Sequence, residues 1–101
     1  MKIETFRANG HATLRLGGRF QFDSHRAFRA AYDVLIADTG VRAVVLDFGD
    51  VDYLDSAALG MLLLLREKLA AVGKTVELAN ARGAARQILE VANFARLFRI
   101  S

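Results

Sequence analysis

The sequence predicts an α/β domain with a mixed sheet of four or five strands. Strand-like apolar segments alternate with segments of helical spacing, a hairpin precedes that alternation, and no linker, repeat or low-complexity stretch interrupts it. The order β-β-α-β-α-β-α begins with an antiparallel pair and continues with parallel crossovers. A chain of 101 residues is long enough for one core, so we expect a single domain over residues 1–101.

The first half of the chain predicts a hairpin followed by a helix. Ile3 to Ala8 form the first strand, which ends at the turn pair Asn9-Gly10. Residues Ala12 to Leu16 alternate between apolar and polar as in a half-buried strand, and Gly17-Gly18 is expected to break that strand. The helix that follows has apolar residues at helical spacing along one face: Phe28, Ala31, Tyr32 and Leu35.

The second half predicts two strands, each followed by a helix. Val41 to Phe48 is a nearly continuous apolar run without clean alternation, which indicates a central strand covered on both faces. A helix then runs from Ser56 to Gly73, and Thr75 to Ala79 form the next strand. A third helix is marked by apolar residues at helical spacing: Ala85, Ile88, Leu89 and Ala92.

The composition excludes several classes of function. The chain has no cysteine, which excludes disulfides, thiol catalysis and cysteine-ligated metal sites. Its net charge of +3 comes from scattered basic residues, so we expect no direct nucleic-acid contact. The longest apolar run, Ala57 to Leu65, falls far short of the ~20 residues that span a bilayer. We therefore expect no membrane insertion and a cytoplasmic location.

The residues that could carry catalysis lack the spacing that catalysis needs. His11 and His25 have no ligand partner at helical spacing, and the motif of a serine nucleophile is absent because Leu54 and Ala58 stand where its two glycines would be. We expect no enzyme activity, no metal and no cofactor. Four carboxylates crowd one expected loop without the spacing of a calcium site, and we interpret them as solvated: Asp47, Asp50, Asp52 and Asp55.

The start of the second helix is the candidate functional site. Ser56, preceded by Asp55, sits where a helix has unpaired N–H groups. Its hydroxyl can cap the helix, a duty that Asp55 could share. A phosphate on Ser56 would instead meet free amides and the positive end of the helix dipole. The site is therefore either a cap or a switch.

The apolar run after Ser56 leaves two alternatives open. Its first two turns are apolar on every side, whereas a surface helix needs only one apolar stripe. The side that the sheet does not bury is either covered by a neighbouring helix or exposed as a partner-binding patch. Met61 and Leu64 lie on different sides from the row of Leu62 and Leu69, so we expect at least one of them to escape the core.

Several segments together resemble a STAS domain, the family of the bacterial anti-sigma factor antagonists. They are Phe20 to Ser24 after Gly18, the strand Val44 to Asp47, the stretch Val51 to Gly60 with the leucine-rich helix, and the ending Asn93 to Phe98. The family pattern at the site is Asp-Ser-Ser/Thr-Gly-Leu-Gly. The resemblance covers essentially the whole chain and implies the STAS fold, a mixed sheet of four or five strands with its helices mainly on one face.

The resemblance also implies a phosphorylation site. In the family, the serine directly after the aspartate is phosphorylated by a partner kinase, and the matching residue is Ser56, after Asp55. This chain departs from the pattern at three positions. Ala57 replaces the second hydroxyl residue, Ala58 replaces a glycine, and Gln21 stands where the family often has an aspartate.

By resemblance, the chain is an anti-sigma factor antagonist. Its unphosphorylated form would bind an anti-sigma factor that is also a serine kinase and so free a sigma factor, and a serine phosphatase would reset the switch. The alternative is a non-switching STAS subunit of a lipid-transport ATPase complex. We expect the partner surface at the start of the second helix and in the loop before it: Asp52, Asp55, Ser56, Ala57, Ala58, Leu59, Met61 and Leu64.

Overall fold

The computed structural model describes residues 1–101 and contains one five-stranded sheet and three helices. The strands lie side by side in chain order: β1 (Lys2–Ala8), β2 (His11–Phe20), β3 (Ala43–Leu54), β4 (Thr75–Ala79) and β5 (Arg99–Ile100). The helices are α1 (His25–Ala37), α2 (Ser56–Ala71) and α3 (Gly83–Val91). β1 pairs with β2 antiparallel and all other neighbours are parallel, so the mixed sheet is confirmed.

One face of the sheet carries the core. Inward residues of the strands and the buried residues of all three helices form a single cluster, to which β3 contributes Val44, Leu46 and Phe48. The prediction that both faces of β3 are covered is wrong, because the alternate residues Ala43, Val45 and Asp47 are only half-buried. The helices pack on one face of the sheet only, so side chains on the other face are covered only in part, by those of neighbouring strands.

The glycine pair after Leu16 does not end the second strand. β2 continues through Gly17 and Gly18 to Phe20. The pairing with β3 shifts register on both sides of this pair, and Gly18 adopts φ +85°, a conformation that glycine reaches at no steric cost. The glycines therefore absorb an irregularity within the strand. Through this extension, β2 reaches the end of β3, where the candidate site lies.

A lysine fixes the C-terminal end of α1. The ammonium of Lys74, just before β4, donates to the carbonyl oxygens of Leu35, Ile36 and Asp38 at 2.7, 2.8 and 2.7 Å. The last carbonyls of a helix have no intrahelical donor and carry its partial negative charge. One cation thus satisfies three acceptors and joins α1 to the entry of β4.

Replacing Lys74 should weaken the contact between the end of α1 and the start of β4 without changing the fold. In Lys74→Met the carbonyls lose a charged donor, and we expect the free energy of unfolding in urea to fall by about 1–3 kcal/mol. Lys2→Met is the matched control because the side chain of Lys2 is exposed and makes no hydrogen bond; its effect should stay within about 0.5 kcal/mol. Equal losses in the two variants would contradict the role of Lys74.

Candidate functional site

Ser56 is the first residue of α2 and is exposed. β3 ends two residues earlier at Leu54, so the chain turns from strand to helix at this point. The Ser56 hydroxyl makes no hydrogen bond within the chain, and no carbonyl or side chain accepts from the amides of Ser56 and Ala57. The site therefore presents a free hydroxyl beside two free N–H groups at the positive end of a 16-residue helix.

The cap of α2 is Asp55, not Ser56. Asp55 has an extended backbone, and its Oδ1 accepts from the amide of Ala58 at 2.8 Å. Its Oδ2 accepts from the amide of Phe22 at 3.0 Å, and its own amide donates to the carbonyl of Phe20 at 3.2 Å. Ser56 thus follows the cap as the first helical residue, which is why its hydroxyl has no capping bond.

The aspartates that precede the site do not lie in a loop. Asp47, Asp50 and Asp52 belong to β3, which continues to Leu54. Asp47 is half-buried, and its carboxylate accepts from the amide of Gly49 at 2.9 Å and from the side chain of Asn80 at 3.2 Å. No group of three or more histidine, cysteine or acidic side chains is placed to hold a metal ion. Of the four aspartates, Asp50 and Asp52 are exposed.

The apolar run of α2 is divided between core and surface. Its buried residues share one helical face: Ala58, Met61, Leu62, Leu65 and Leu69. Ala57 and Leu59 are half-buried, and Leu64 is 40% exposed. Met61 lies on the buried face together with Leu62 and Leu69, so the expectation that it lies on a different side of the helix is wrong. Ala58 and Met61, at 0% and 8% exposure, offer a partner almost no surface, whereas Leu64 is the residue that escapes the core. No helix is both long and apolar enough to cross a membrane.

One exposed aromatic residue near the site escaped the sequence analysis. Phe22 is 75% exposed and lies in a short 3-10 turn, Phe22–Ser24, between β2 and α1. Strand alternation would place Phe22 inward beside Phe20, but the turn ends the strand and points the side chain to solvent. The signal that could have found it is the Asp23-Ser24 pair, whose residue types favour a turn and which belongs to the same 3-10 turn as Phe22.

The two carboxylate bonds of Asp55 should make this residue important for stability. We expect Asp55→Ala to lower the free energy of unfolding by about 1–3 kcal/mol, because the amides of Ala58 and Phe22 both lose their acceptor. Asp52→Ala is the matched control, since Asp52 is exposed and makes no hydrogen bond; its effect should stay within about 0.5 kcal/mol. Urea unfolding followed by circular dichroism measures both, and an Asp52 variant as unstable as the Asp55 variant would refute the assignment of the cap.

Known proteins with similar sequences share the family. Residues 4–99 match the family model described as "Mlab, STAS domain". The chain is 46% identical over 89 residues to a STAS-domain containing protein of Pseudomonas aeruginosa strain UCBPP-PA14, which covers 88% of this chain and 86% of that protein. It is 34% identical over 64 residues to BtrV of Bordetella bronchiseptica, whose name describes it provisionally as an anti-sigma factor antagonist; the match covers 63% of this chain and 55% of BtrV.

Solved structures share the fold. A crystal structure of an anti-sigma factor antagonist from Mycobacterium paratuberculosis matches with a TM-score of 0.85 at 23% identity, covering 98% of this chain and 83% of that chain. A sulfate transporter family protein from Wolinella succinogenes matches with a TM-score of 0.77 at 17% identity, covering 90% of this chain and 75% of that chain. At such identities these likenesses show the fold alone. The family model and the Pseudomonas relative each cover most of the sequence, and this chain therefore belongs to the STAS domain family.

Proposed function

We propose that this STAS domain is a phosphorylation-switched binding module. Its unphosphorylated form binds an anti-sigma factor that is also a serine kinase, and this binding releases a sigma factor. Phosphorylation of Ser56 ends the binding, and a serine phosphatase restores it. The observation that carries the proposal is the free, exposed hydroxyl of Ser56 at the start of α2, set directly after the capping carboxylate of Asp55. The description of BtrV as an anti-sigma factor antagonist supports the class of partner.

The fold can accept a phosphate on Ser56. The side chain is exposed, so the phosphate oxygens stay in contact with water. The unbonded amides of Ser56 and Ala57 can donate to them, and the helix dipole favours a negative charge at this end. Asp55 does not oppose this strongly, because its carboxylate already accepts from the amides of Ala58 and Phe22.

A complex formed over Ser56 cannot accept the same phosphate. The proposed partner surface combines Ser56 with the accessible parts of Ala57, Leu59 and Leu64, and with the exposed carboxylate of Asp52. A phosphate adds about −1.5 to −2 charge units at neutral pH. Burial of this charge against apolar surface costs its hydration, and no cation of this chain bonds to Ser56 to offset that cost. Phosphorylation should therefore weaken the complex and leave the domain folded.

The departures from the family pattern are compatible with this role. Ala58 is fully buried, and its amide donates to Asp55, so it serves the helix start and not the switch. With alanine at position 57, Ser56 is the only hydroxyl acceptor of the motif. Gln21 takes part in the 3-10 turn through its backbone, whose amide donates to the hydroxyl of Ser24 at 3.3 Å.

The alternative function is a permanent subunit of a lipid-transport ATPase complex. Such a subunit would use the same exposed part of α2 without any phosphate. The free hydroxyl of Ser56 favours the switch, because a permanent apolar contact gains nothing from an unbonded hydroxyl in its centre. An enzyme with Ser56 as nucleophile has less support, since no histidine or carboxylate bonds to the Ser56 hydroxyl.

The central prediction is phosphorylation of Ser56 with loss of affinity. We expect a serine kinase of the source organism, with ATP, to add one phosphate to the wild type and none to Ser56→Ala. The purified phosphoprotein should bind that kinase at least about tenfold more weakly, equal to about 1.4 kcal/mol, because the charge must lose water at the interface. Intact-mass spectrometry measures the phosphate and titration calorimetry the affinity.

Two further variants make this result specific. Thr39→Ala removes another exposed hydroxyl and should leave the incorporated phosphate unchanged. Ser56→Ala should retain most of the affinity, since it removes a hydroxyl without adding a charge. Equal labelling of wild type and Ser56→Ala, or unchanged affinity of the phosphoprotein, would overturn the switch. A stable ATPase complex of wild type and phosphoprotein alike would support the alternative.

Substitutions of two adjacent leucines of α2 can distinguish an interface position from a core position. Leu65 is fully buried and Leu64 is 40% exposed. We expect Leu64→Lys to keep its melting temperature within a few degrees and to lose partner binding. In Leu65→Lys the charge would enter the core, so the free energy of unfolding should fall by several kcal/mol. Thermal unfolding and calorimetric titration with the kinase test both; full binding by Leu64→Lys would remove this part of α2 from the interface.

A further inference from the structure

Phe22 is the aromatic side chain with the greatest exposure in the chain. It is 75% exposed, whereas the neighbouring Phe20 and Phe28 are buried against one another with ring centroids 4.9 Å apart. An exposed phenylalanine contributes nothing to the core. Phenylalanine is one of the aromatic residues that are enriched in protein–protein interfaces relative to the rest of the surface.

The 3-10 turn that carries Phe22 is held by hydrogen bonds on both sides. The amide of Ser24 donates to the carbonyl of Gln21 at 2.9 Å, and the amide of Gln21 donates to the hydroxyl of Ser24 at 3.3 Å. That hydroxyl is buried and donates to the carbonyl of Arg19 at 3.4 Å. The amide of Phe22 itself donates to Asp55. The aromatic ring is therefore presented by an ordered backbone, which lowers the entropy lost on binding.

The bond to Asp55 also fixes where the ring lies. Asp55 directly precedes Ser56, and its second carboxylate oxygen caps α2 through Ala58. Phe22 is thus a neighbour of the switch serine, although the two are far apart in sequence. This bond places the backbone of Phe22 beside Asp55, which directly precedes the partner surface proposed at the start of α2.

We propose that Phe22 is the aromatic anchor of this domain and inserts into an apolar pocket of its anti-sigma factor kinase. Asp55 is a positioning residue, because its carboxylate holds the 3-10 turn against α2. This inference rests on the proposed function, and its occupant is argued from the hydrogen bond that holds the Phe22 turn beside Asp55, next to that interface. An ordered aromatic side chain near the centre of an interface commonly carries much of the affinity.

The test compares two equally exposed apolar residues. Val91, 78% exposed, is the matched control. Gly83, the first residue of α3, lines a surface depression together with Asp52, whereas Val91 is the last residue of that helix. Val91 therefore lies at the end of α3 that is farther from the proposed partner surface. The probe is the purified serine kinase that phosphorylates Ser56. We expect Phe22→Ser to weaken binding of the full chain at least about tenfold, and Val91→Ser to change it by no more than about twofold.

A third variant tests the positioning role of Asp55. In Asp55→Asn the amide oxygen can accept from Ala58 or from Phe22, but the amide nitrogen cannot accept from the other. We expect weaker kinase binding and a loss of stability smaller than that of Asp55→Ala, because one of the two amides keeps its acceptor. In the double variant Phe22→Ser/Asp55→Asn the loss should be no larger than in Phe22→Ser alone, since the turn then has no anchor to position. Additive losses would overturn the positioning role.

The outcomes separate the two proposals. If Phe22→Ser binds the kinase with the same affinity as the wild type, the anchor is overturned and the phosphorylation switch is not affected. A wild type that neither binds a serine kinase nor accepts phosphate would overturn the proposed function, and the anchor with it. Selective loss in Phe22→Ser, with normal binding by Val91→Ser and unchanged melting temperatures, would support the anchor.

Discussion

The site depends on one carboxylate. Asp55 caps α2 with one oxygen and holds the amide of Phe22 with the other, and its own amide bonds to the last residue of β2. Two segments that are distant in sequence, the end of β2 with the turn after it and the start of α2, therefore meet at a single residue. Because Asp55 performs the capping, Ser56 begins the helix with its hydroxyl unused. The same bond that stabilises the helix start leaves the neighbouring serine available for modification.

The one-sided packing of the sheet decides which part of α2 can meet a partner. All three helices share a single core on one face, so α2 must bury one stripe of its apolar run against the strands. Its remaining apolar surface is divided between contact with α1 and solvent. The outcome is graded: Leu65 is inside, Leu59 is partly covered and Leu64 is accessible. Part of the apolar run of α2 therefore belongs to the core, and part of it remains on the surface.

Local periodicity was sufficient to predict the elements, the mixed sheet and the position of Ser56, since each follows from residues close together in the chain. The errors concern contacts between distant segments. Gly17 and Gly18 stay in β2 because they pair with Asp50 and Val51, and the same pairing extends β3 through its aspartates. The cap itself is local, because the amide of Ala58 donates to Asp55 three residues earlier, but the turn that exposes Phe22 depends on a hydrogen bond to Asp55 across 33 residues. No local spacing encodes these contacts.

The geometry at the start of α2 explains how a charge could act on binding without acting on folding. A phosphate on Ser56 would find two unbonded amides and water, while the nearest carboxylate is already occupied by two N–H donors. Its interaction with the folded domain is therefore close to neutral or favourable. A partner that covers Ser56 would remove the water and add apolar surface, so the cost falls on the complex alone. The asymmetry arises from the placement of a serine directly after a capping aspartate, and it requires no change in the fold.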